Sequence, residues 1–179
     1  MPDLVTHAET FARQAHAGQT RKGAASEPYV THLEEVAGFV LRHGGDEIAV
    51  AAAWLHDSVE DCEGVTAPDI ARAFGAAVAA VVAELTDDKA LPKAERKRLQ
   101  IVHAGSKSPR AALVKLGDKT SNVRSVAASR PLGWGGDRCR AYVDWAEAVV
   151  AALPELPEAA RADFLAAVAA ARRSLGPGA

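Results

Sequence analysis

The sequence predicts an all-α fold, a single bundle of about eight to ten helices. Composition is the first observation behind this prediction: the chain is 49% hydrophobic but only 5% aromatic, and its apolar residues are mostly Ala, Val and Leu. Such a mixture favours close packing of helices over a β-sandwich. The second observation is that apolar residues recur at helical spacing between Gly and Pro breaks. The third is the length of 179 residues, which suits one domain.

Caps and breaks define the first three helices. Asp3 is a suitable N-cap for a first helix. A second helix, residues 31–43, ends at Gly44, because glycine readily adopts the left-handed conformation that closes many helices. Asp46 caps a strongly apolar third helix, residues 47–55, which is therefore expected to be buried on most sides.

Further breaks divide the rest of the chain. The polar segment 18–28 is expected to be a loop, and Pro109 suits the first turn of a long helix. No repeat or flexible linker splits the chain. The remaining helices are predicted as a short one ending at Phe74 and longer ones over 76–85, 93–103, 109–127, 137–153 and 158–175.

Charge and cysteine content narrow the functional class. The formal net charge of −2 gives no electrostatic reason to expect a nucleic-acid or anionic-membrane partner. Two cysteines, Cys62 and Cys139, without CxxC spacing, predict a reducing cytoplasm rather than a disulfide framework. The N-terminus lacks the pattern of a signal peptide, and the apolar runs are too short to span a bilayer. We therefore expect a cytoplasmic protein, and the sequence leaves its oligomeric state open.

The segment 56–61 carries the strongest functional signal. His56 and Asp57 follow the apolar third helix directly, and Glu60 and Asp61 come about one turn later. Imidazole and carboxylate groups are common ligands of divalent metals, and a neighbouring carboxylate pair can move protons on a metal-bound water. His56 and Asp57 point about 100° apart on a helix, so they can bind one ion only near its end. This segment predicts a metal site with adjacent acid–base groups.

Two further side chains could complete such a site, although each candidate also has a simpler interpretation. His32 stands at the start of the second helix, and Asp118 interrupts an apolar stretch of the long helix. A lone histidine such as His32 is more often a structural group, and Asp57 alone could be a surface acid. Asp118 could pair with Lys115 or Lys119 on the helix surface. Spacing alone leaves both interpretations open.

The set His32, His56-Asp57 and Asp118 resembles the metal-binding signature of the HD-domain phosphohydrolases. The doublet continues as His-Asp-x-Val-Glu-Asp, which is similar to the hydrolase domain of the RelA/SpoT alarmone enzymes. The stand-alone small alarmone hydrolases of the metazoan SpoT-homologue type are more similar still. The resemblance covers about residues 4–155 of a single domain, 1–179, with a C-terminal helix near 158–175. Its other matches are Arg21-Lys22, Pro28-Tyr29, 85–89, 91–93, 95–100, 113–116, Asn122 and Gly133-Trp134.

The resemblance implies an HD-domain helical bundle with a defined activity. Family members hydrolyse the 3′-diphosphate of guanosine tetra- and pentaphosphate to GDP or GTP and pyrophosphate, using one divalent ion, usually Mn²⁺. Glu60 and Asp61 would act in proton transfer and water positioning, and the sequence does not decide which of them is the base. On a continuing helix, both would stay on the ligand side. The implied ligands are His32, His56, Asp57 and Asp118.

A guanosine polyphosphate is a dense anion, and the resemblance places basic and polar residues where the family binds it. Lys93, Lys97 and Arg98 lie outside this set and are expected to form a solvated helix face. The implied substrate-binding residues are Arg21, Lys22, Lys115, Asn122, Ser125, Arg138 and Tyr142.

The sequence also departs from the family pattern. Ser121 stands where close relatives often carry an aromatic residue, and Gly117 replaces a more usual alanine, which should loosen the helix. His16, His43 and His103 match no ligand position and are expected to be surface or structural groups.

The sequence leaves two other functions open. The first is a phosphatase of the same fold that acts on NADPH or another ribose-phosphorylated nucleotide. The second is a catalytically silent nucleotide-binding module, which predicts the loss of a ligand or of the carboxylate pair. Both the ligand set and the carboxylate pair are present.

Overall fold

Helices account for most of the protein in the computed structural model, which describes residues 3–176. Within these residues there is no β-strand, and an all-α single domain is confirmed. A 3₁₀ turn, Ala104–Ser106, follows α7. The helices are α1 Leu4–Ala15, α2 Val30–Arg42, α3 Glu47–Leu55, α4 Ser58–Asp61, α5 Ala67–Phe74, α6 Ala76–Leu85, α7 Lys93–Val102, α8 Pro109–Ala128, α9 Gly136–Ala151 and α10 Glu158–Leu175.

The predicted caps form. The Asp3 carboxylate accepts a hydrogen bond from the backbone N–H of Thr6, and the Asp46 carboxylate accepts one from that of Ala49. Gly44 has a φ of 83°, in the left-handed region that closes α2. These local signals explain why the predicted ends of the long helices lie within two residues or so of the observed ones.

Two helices, α3 and α8, form the centre of the molecule. Every residue of α3 from Ala49 to Leu55 is buried, because the helix packs against α1, α2, α6 and α8. One side of α8 packs on α2, and α10 packs along the same helix. The residues of α10 that are buried are Ala160, Phe164, Ala167, Val168 and Ala171.

The third helix ends where the sequence predicts, directly before His56. α3 ends at Leu55, His56 and Asp57 form a turn, and the single-turn helix α4 begins at Ser58. His56 and Asp57 therefore lie at a helix end, as shared metal binding requires, but Glu60 and Asp61 do not continue the same helix. The turn changes the directions in which the side chains of α4 point relative to α3.

The polar loop between α1 and α2 is held in place by pairing with the loop between α8 and α9. Two isolated antiparallel bridges form: Thr20 pairs with Pro28 within the first loop, and Gly23 pairs with Pro131 of the second loop. The backbone N–H of Leu132 also donates to the carbonyl oxygen of Lys22, at 3.2 Å. Backbone pairing thus joins the two loops.

A few predictions fall at the termini. Residues 1, 2 and 177–179 lie outside the described residues. The structure therefore tests neither the ends of the proposed domain, 1–179, nor the signal-peptide prediction made from the N-terminal sequence. Among the helices of residues 3–176, none combines the length and the hydropathy needed to cross a membrane.

Candidate active site

Three elements bring a group of candidate metal ligands together. His32 lies in the first turn of α2, His56 follows the end of α3, and Asp118 is in the middle of α8. One ligand atom from each lies within 4.8 Å of the others, and all three side chains are buried. Sequence positions far apart thus converge on one point, as the spaced motif predicts.

Asp57 lies beside this group. Its Oδ2 is 3.5 Å from Nε2 of His32 and 3.2 Å from Nε2 of His56. The hydroxyl of Tyr29 donates to the same Oδ2 at 2.5 Å, which fixes the position of the carboxylate. Asp57 therefore lies within 3.5 Å of both candidate histidines, whereas the group whose ligand atoms lie within 4.8 Å of one another consists of His32, His56 and Asp118.

The donor set fits a divalent cation. Nδ1 of His56 lies 2.7 Å from the carbonyl oxygen of Ala53, which can only accept, so Nδ1 carries the proton and Nε2 carries the lone pair. That Nε2 is buried, and although Oδ2 of Asp57 lies 3.2 Å away, it makes no hydrogen bond of good geometry within residues 3–176. Imidazole nitrogens together with carboxylate oxygens suit Mn²⁺, iron or zinc.

Buried lysines keep Asp118 ionised. Its Oδ2 is 3.2 Å from Nζ of Lys119 and 3.5 Å from Nζ of Lys115, and its Oδ1 accepts from Nδ2 of Asn122 at 2.6 Å. Burial favours the neutral acid, but the two ammonium groups outweigh it and hold the pKa of Asp118 well below its usual range. Asp118 thus pairs with Lys115 and Lys119, as the sequence allowed, but all three side chains are buried rather than on the helix surface.

Burial and neighbouring charges also act in opposite directions on the pKa of Asp57. Burial again favours the neutral acid, but His56 and His32 lower the pKa of Asp57 well below its usual range. Burial also opposes the charged form of His56, whose pKa is nevertheless raised by the carboxylates of Asp57 and Asp118. Both carboxylates are thus available as anionic ligands.

A cavity of about 440 Å³ opens beside this group, with His32 and Glu60 in its wall. Its other walls come from the paired loops, Asp87, α7, α8 and α9, and most of the charged side chains that line it are cationic. The cationic lining residues are Arg21, Lys22, Lys93, Arg96, Lys97 and Arg138, and the aromatic ones are Tyr29, Trp134, Tyr142 and Trp145.

Most of the predicted substrate-binding residues line this cavity. Lys115 is the exception, since it lies on an adjoining cavity of about 450 Å³ and contacts Asp118. The others do line it: Arg21, Lys22, Asn122, Ser125, Arg138 and Tyr142.

The basic helix α7 presents two different faces. Arg98 is exposed and pairs with Glu95, as a solvated face predicts. That prediction does not hold for Lys93 and Lys97, which both line the cavity, and Nζ of Lys97 lies 4.4 Å from the ring centre of Trp145 and 5.6 Å from that of Tyr142. Burial, reinforced by Lys93, Lys119 and Arg138, lowers the pKa of Lys97. An anion in the cavity would relieve this repulsion.

The carboxylate pair is split by the turn before α4. Glu60 lines the cavity and accepts hydrogen bonds from the backbone N–H of Asp87 at 3.2 Å and from Nη1 of Arg96 at 3.4 Å. Burial, with the nearby charge of Asp87, raises its pKa. The side chain of Asp61 is instead ion-paired with Lys89 and is more exposed than that of Glu60, at 35% against 16%.

Known proteins place this architecture in a family. A family model for the HD domain matches residues 8–133 of the 179. The chain belongs to the HD-domain family. The helical fold and the candidate ligand group of this HD-domain protein agree with that membership.

The HD-domain protein is also similar to characterised relatives. It is 43% identical to the guanosine-3′,5′-bis(diphosphate) 3′-pyrophosphohydrolase MESH1 of Xenopus tropicalis, over 84% of each chain. The Homo sapiens protein of the same name is 43% identical over 82% of each chain. A solved structure of a metazoan SpoT orthologue that hydrolyses ppGpp superposes with a TM-score of 0.88 at 36% identity, covering 93% of this chain and 94% of that one.

Sequence reasoning missed several groups in the site of this HD-domain protein. Arg96 and Trp145 line the cavity, and helical spacing from Lys93 and Tyr142, at i+3, could have indicated both. Tyr29 was noted only as part of a motif, although it holds Asp57. His16, expected at the surface or in a structural role, is buried and stacks on Tyr29 with ring centres 5.1 Å apart.

Proposed function

We propose that this protein hydrolyses the 3′-diphosphate of guanosine tetra- and pentaphosphate, releasing pyrophosphate and leaving GDP or GTP. One observation carries the proposal: a convergent imidazole–carboxylate group opens onto a cavity lined with cations and aromatic rings. Such a cavity suits a purine nucleotide with several phosphates. The named activity of the similar relatives supports the same substrate.

His32, His56, Asp57 and Asp118 are the proposed ligands of one divalent ion, with Mn²⁺ as the preferred metal. Two imidazoles and two carboxylates match the ligand preference of manganese, and the lone pair of His56 Nε2 is free to bind it. A bound ion would polarise a diphosphate oxygen and lower the pKa of a water molecule.

Glu60 is the proposed proton-transfer group, and Asp61 is the proposed positioning group. Glu60 faces the cavity, and its raised pKa suits a base that must accept and then release a proton. The ion pair of Asp61 with Lys89 neutralises its charge and anchors the segment after α6. The two adjacent carboxylates would therefore act differently.

The cationic and the aromatic residues that line the cavity are proposed to bind different parts of the substrate. Arg21, Lys22 and Arg138 would bind phosphate oxygens, and the ring of Tyr142 would pack against the base or ribose. The cavity also presents the amide of Asn122 and the hydroxyl of Ser125. Lys115 is better assigned to holding Asp118, because it contacts that carboxylate from the adjoining cavity.

The protein is further proposed to act in the cytoplasm as one domain spanning 1–179. Both cysteines, Cys62 and Cys139, are buried as free thiols, and burial raises the pKa of Cys62 to about 11. A reducing compartment suits such a chain.

Product analysis tests the proposal directly. Purified protein with Mn²⁺ should convert guanosine tetraphosphate to equal amounts of GDP and pyrophosphate, and a chelator should stop the reaction. His56→Ala should abolish turnover, because it removes one imidazole ligand. Intact substrate after prolonged incubation with metal would contradict the proposal.

The same assay separates the main alternative. NADPH carries a purine, a ribose phosphate and a diphosphate, so the same cations and rings could bind it. We expect a higher kcat/KM for guanosine tetraphosphate. A higher value for NADPH would instead assign the protein as a nucleotide phosphatase.

A further inference from the structure

The second ring nitrogen of His32 has a partner that the ligand set does not explain. Nδ1 of His32 lies 2.8 Å from Oγ of Ser121, a side chain in α8 that is 2% exposed. Oγ of Ser121 in turn lies 2.5 Å from Oε2 of Glu35. His32, Ser121 and Glu35 thus form a chain of hydrogen bonds, called the Ser121 relay below.

The direction of each hydrogen bond follows from the groups involved. Glu35 is paired with Arg21, whose Nη1 lies 3.1 Å from Oε2, so its carboxylate can only accept. The Ser121 hydroxyl must therefore donate to Glu35, and its oxygen is left to accept from Nδ1–H of His32. This assignment leaves the lone pair of His32 on Nε2, which faces Asp57 and Asp118.

The relay also reaches the cavity. Nη2 of Arg21 lies 3.3 Å from both the carbonyl oxygen and Oγ of Ser121, and Arg21 lines the cavity wall while being only 7% exposed. Arg21 therefore contacts both Glu35 and Ser121. The guanidinium thus helps to place two members of the relay.

We propose that Ser121 and Glu35 are positioning residues that fix Nε2 of His32 as the nitrogen available to a metal ion. The inference rests on the proposed metal-dependent function. Hydrogen-bonded groups behind a ligand histidine commonly set its orientation and basicity.

Metal affinity measured without substrate tests the relay. Calorimetric titration of Mn²⁺ into metal-free protein should give a Kd about 10–100-fold weaker for Ser121→Ala than for the wild type. Ser121→Thr keeps the hydroxyl and should bind nearly as well as the wild type. Glu35→Ala should also weaken binding, and because Glu35 is 48% exposed this change leaves the core intact.

Glu34 provides the matched control. It precedes Glu35 in the same helix, is 62% exposed and pairs with Arg13, away from the relay. Glu34→Ala should leave the Kd for Mn²⁺ unchanged. Wild-type affinity in folded Ser121→Ala, or in Glu35→Ala, would overturn the proposal.

A spectroscopic readout separates positioning from a merely structural role. Histidine-labelled metal-free protein should give ¹⁵N shifts for His32 with the proton on Nδ1, and Ser121→Ala should give a mixture of the two tautomers. An unchanged tautomer in Ser121→Ala and in Glu35→Ala would contradict the relay. Because neither measurement uses a nucleotide, failure on guanosine tetraphosphate would leave this test intact.

Discussion

At the scale of single residues, the carboxylates of Glu60 and Asp61 are adjacent in sequence but differ in environment. The turn at His56 and Asp57 directs Glu60 into the cavity, and Asp61 pairs with Lys89 on a more exposed side. Burial raises the pKa of Glu60, whereas the charge of Asp61 is neutralised by a lysine. Residue types alone could not distinguish the two, because the difference arises from the break in the helix.

Glu60→Gln should lower kcat/KM about 10²–10⁴-fold, the usual loss when a general base is removed. It should also remove a pH dependence. The active form of Glu60 is ionised, so wild-type activity should fall as the pH drops through its pKa, which lies above the value of about 4.3 for an exposed glutamate. The pH profile of kcat/KM at saturating Mn²⁺ measures this fall, which forms the acidic limb of the profile.

Asp61→Asn is the control for this assignment. It should keep the same acidic limb, because Glu60 remains, and it should lose less activity. If Asp61→Asn removed the limb and Glu60→Gln retained it, the roles of the two carboxylates would be reversed.

At the scale of helices, α8 lies tightly against α2 at Gly117. A Cβ added there would lie 3.0 Å from Cδ1 of Phe39 and 3.3 Å from Cγ1 of Val36, both of which are buried. The sequence suggested that this glycine only loosens the helix. The structure adds that it lets α8 approach α2, and so helps to bring Asp118 near His32.

Gly117→Ala should therefore destabilise the protein by about 1 kcal/mol. The gain in helix propensity, about 0.5–1 kcal/mol, is smaller than the cost of overpacking a core, about 1–3 kcal/mol. Urea unfolding of the metal-free protein measures the free energy of unfolding.

Gly38, in α2, is the matched control. A Cβ there would meet only Nη1 of Arg42, at 3.3 Å, which is the end of a flexible side chain. Gly38→Ala should accordingly stabilise the protein by about 0.4–1 kcal/mol. Stabilisation by both substitutions would show that the ring of Phe39 moves aside at little cost.

Helix positions could be predicted because their signals are local. Asp3, Asp46 and Gly44 mark helix ends through bonds and dihedral angles within a few residues of each position. The position of Lys97 in the cavity wall could not be predicted, because Trp145 comes from a distant helix. The ligand set was predicted only because its spacing resembles a known motif, and no local rule links His32 to Asp118.

At the scale of the whole molecule, the C-terminal helix α10 supplies none of the four candidate ligands, although it packs along α8. Phe164 of α10 is 1% exposed and belongs to the hydrophobic core, whereas Asp118 lies close to His32 of α2 and to His56 after α3. The candidate ligands themselves come from α2, the end of α3 and α8. The stability of the fold and the assembly of the site should thus be separable.

Phe164→Ala should lower the free energy of unfolding by about 3–5 kcal/mol, because it removes a large buried side chain. Mn²⁺ at about 100 times its Kd should still add about 2.7 kcal/mol, in the variant as in the wild type. Thermal unfolding with and without metal measures both quantities. A smaller increment in the variant would show that α10 also holds the ligands in place.

The lysines that flank Asp118 affect when a metal ion can bind relative to folding. Lys115 and Lys119 supply two positive charges, and Asp57 and Asp118 supply two negative ones, so charge is balanced within the protein itself. We therefore expect a newly made chain to fold before any ion binds, and one ion to be exchanged for another without unfolding. The metal carried at a given moment would follow the pool of free ions around the mature protein, not the conditions at its synthesis.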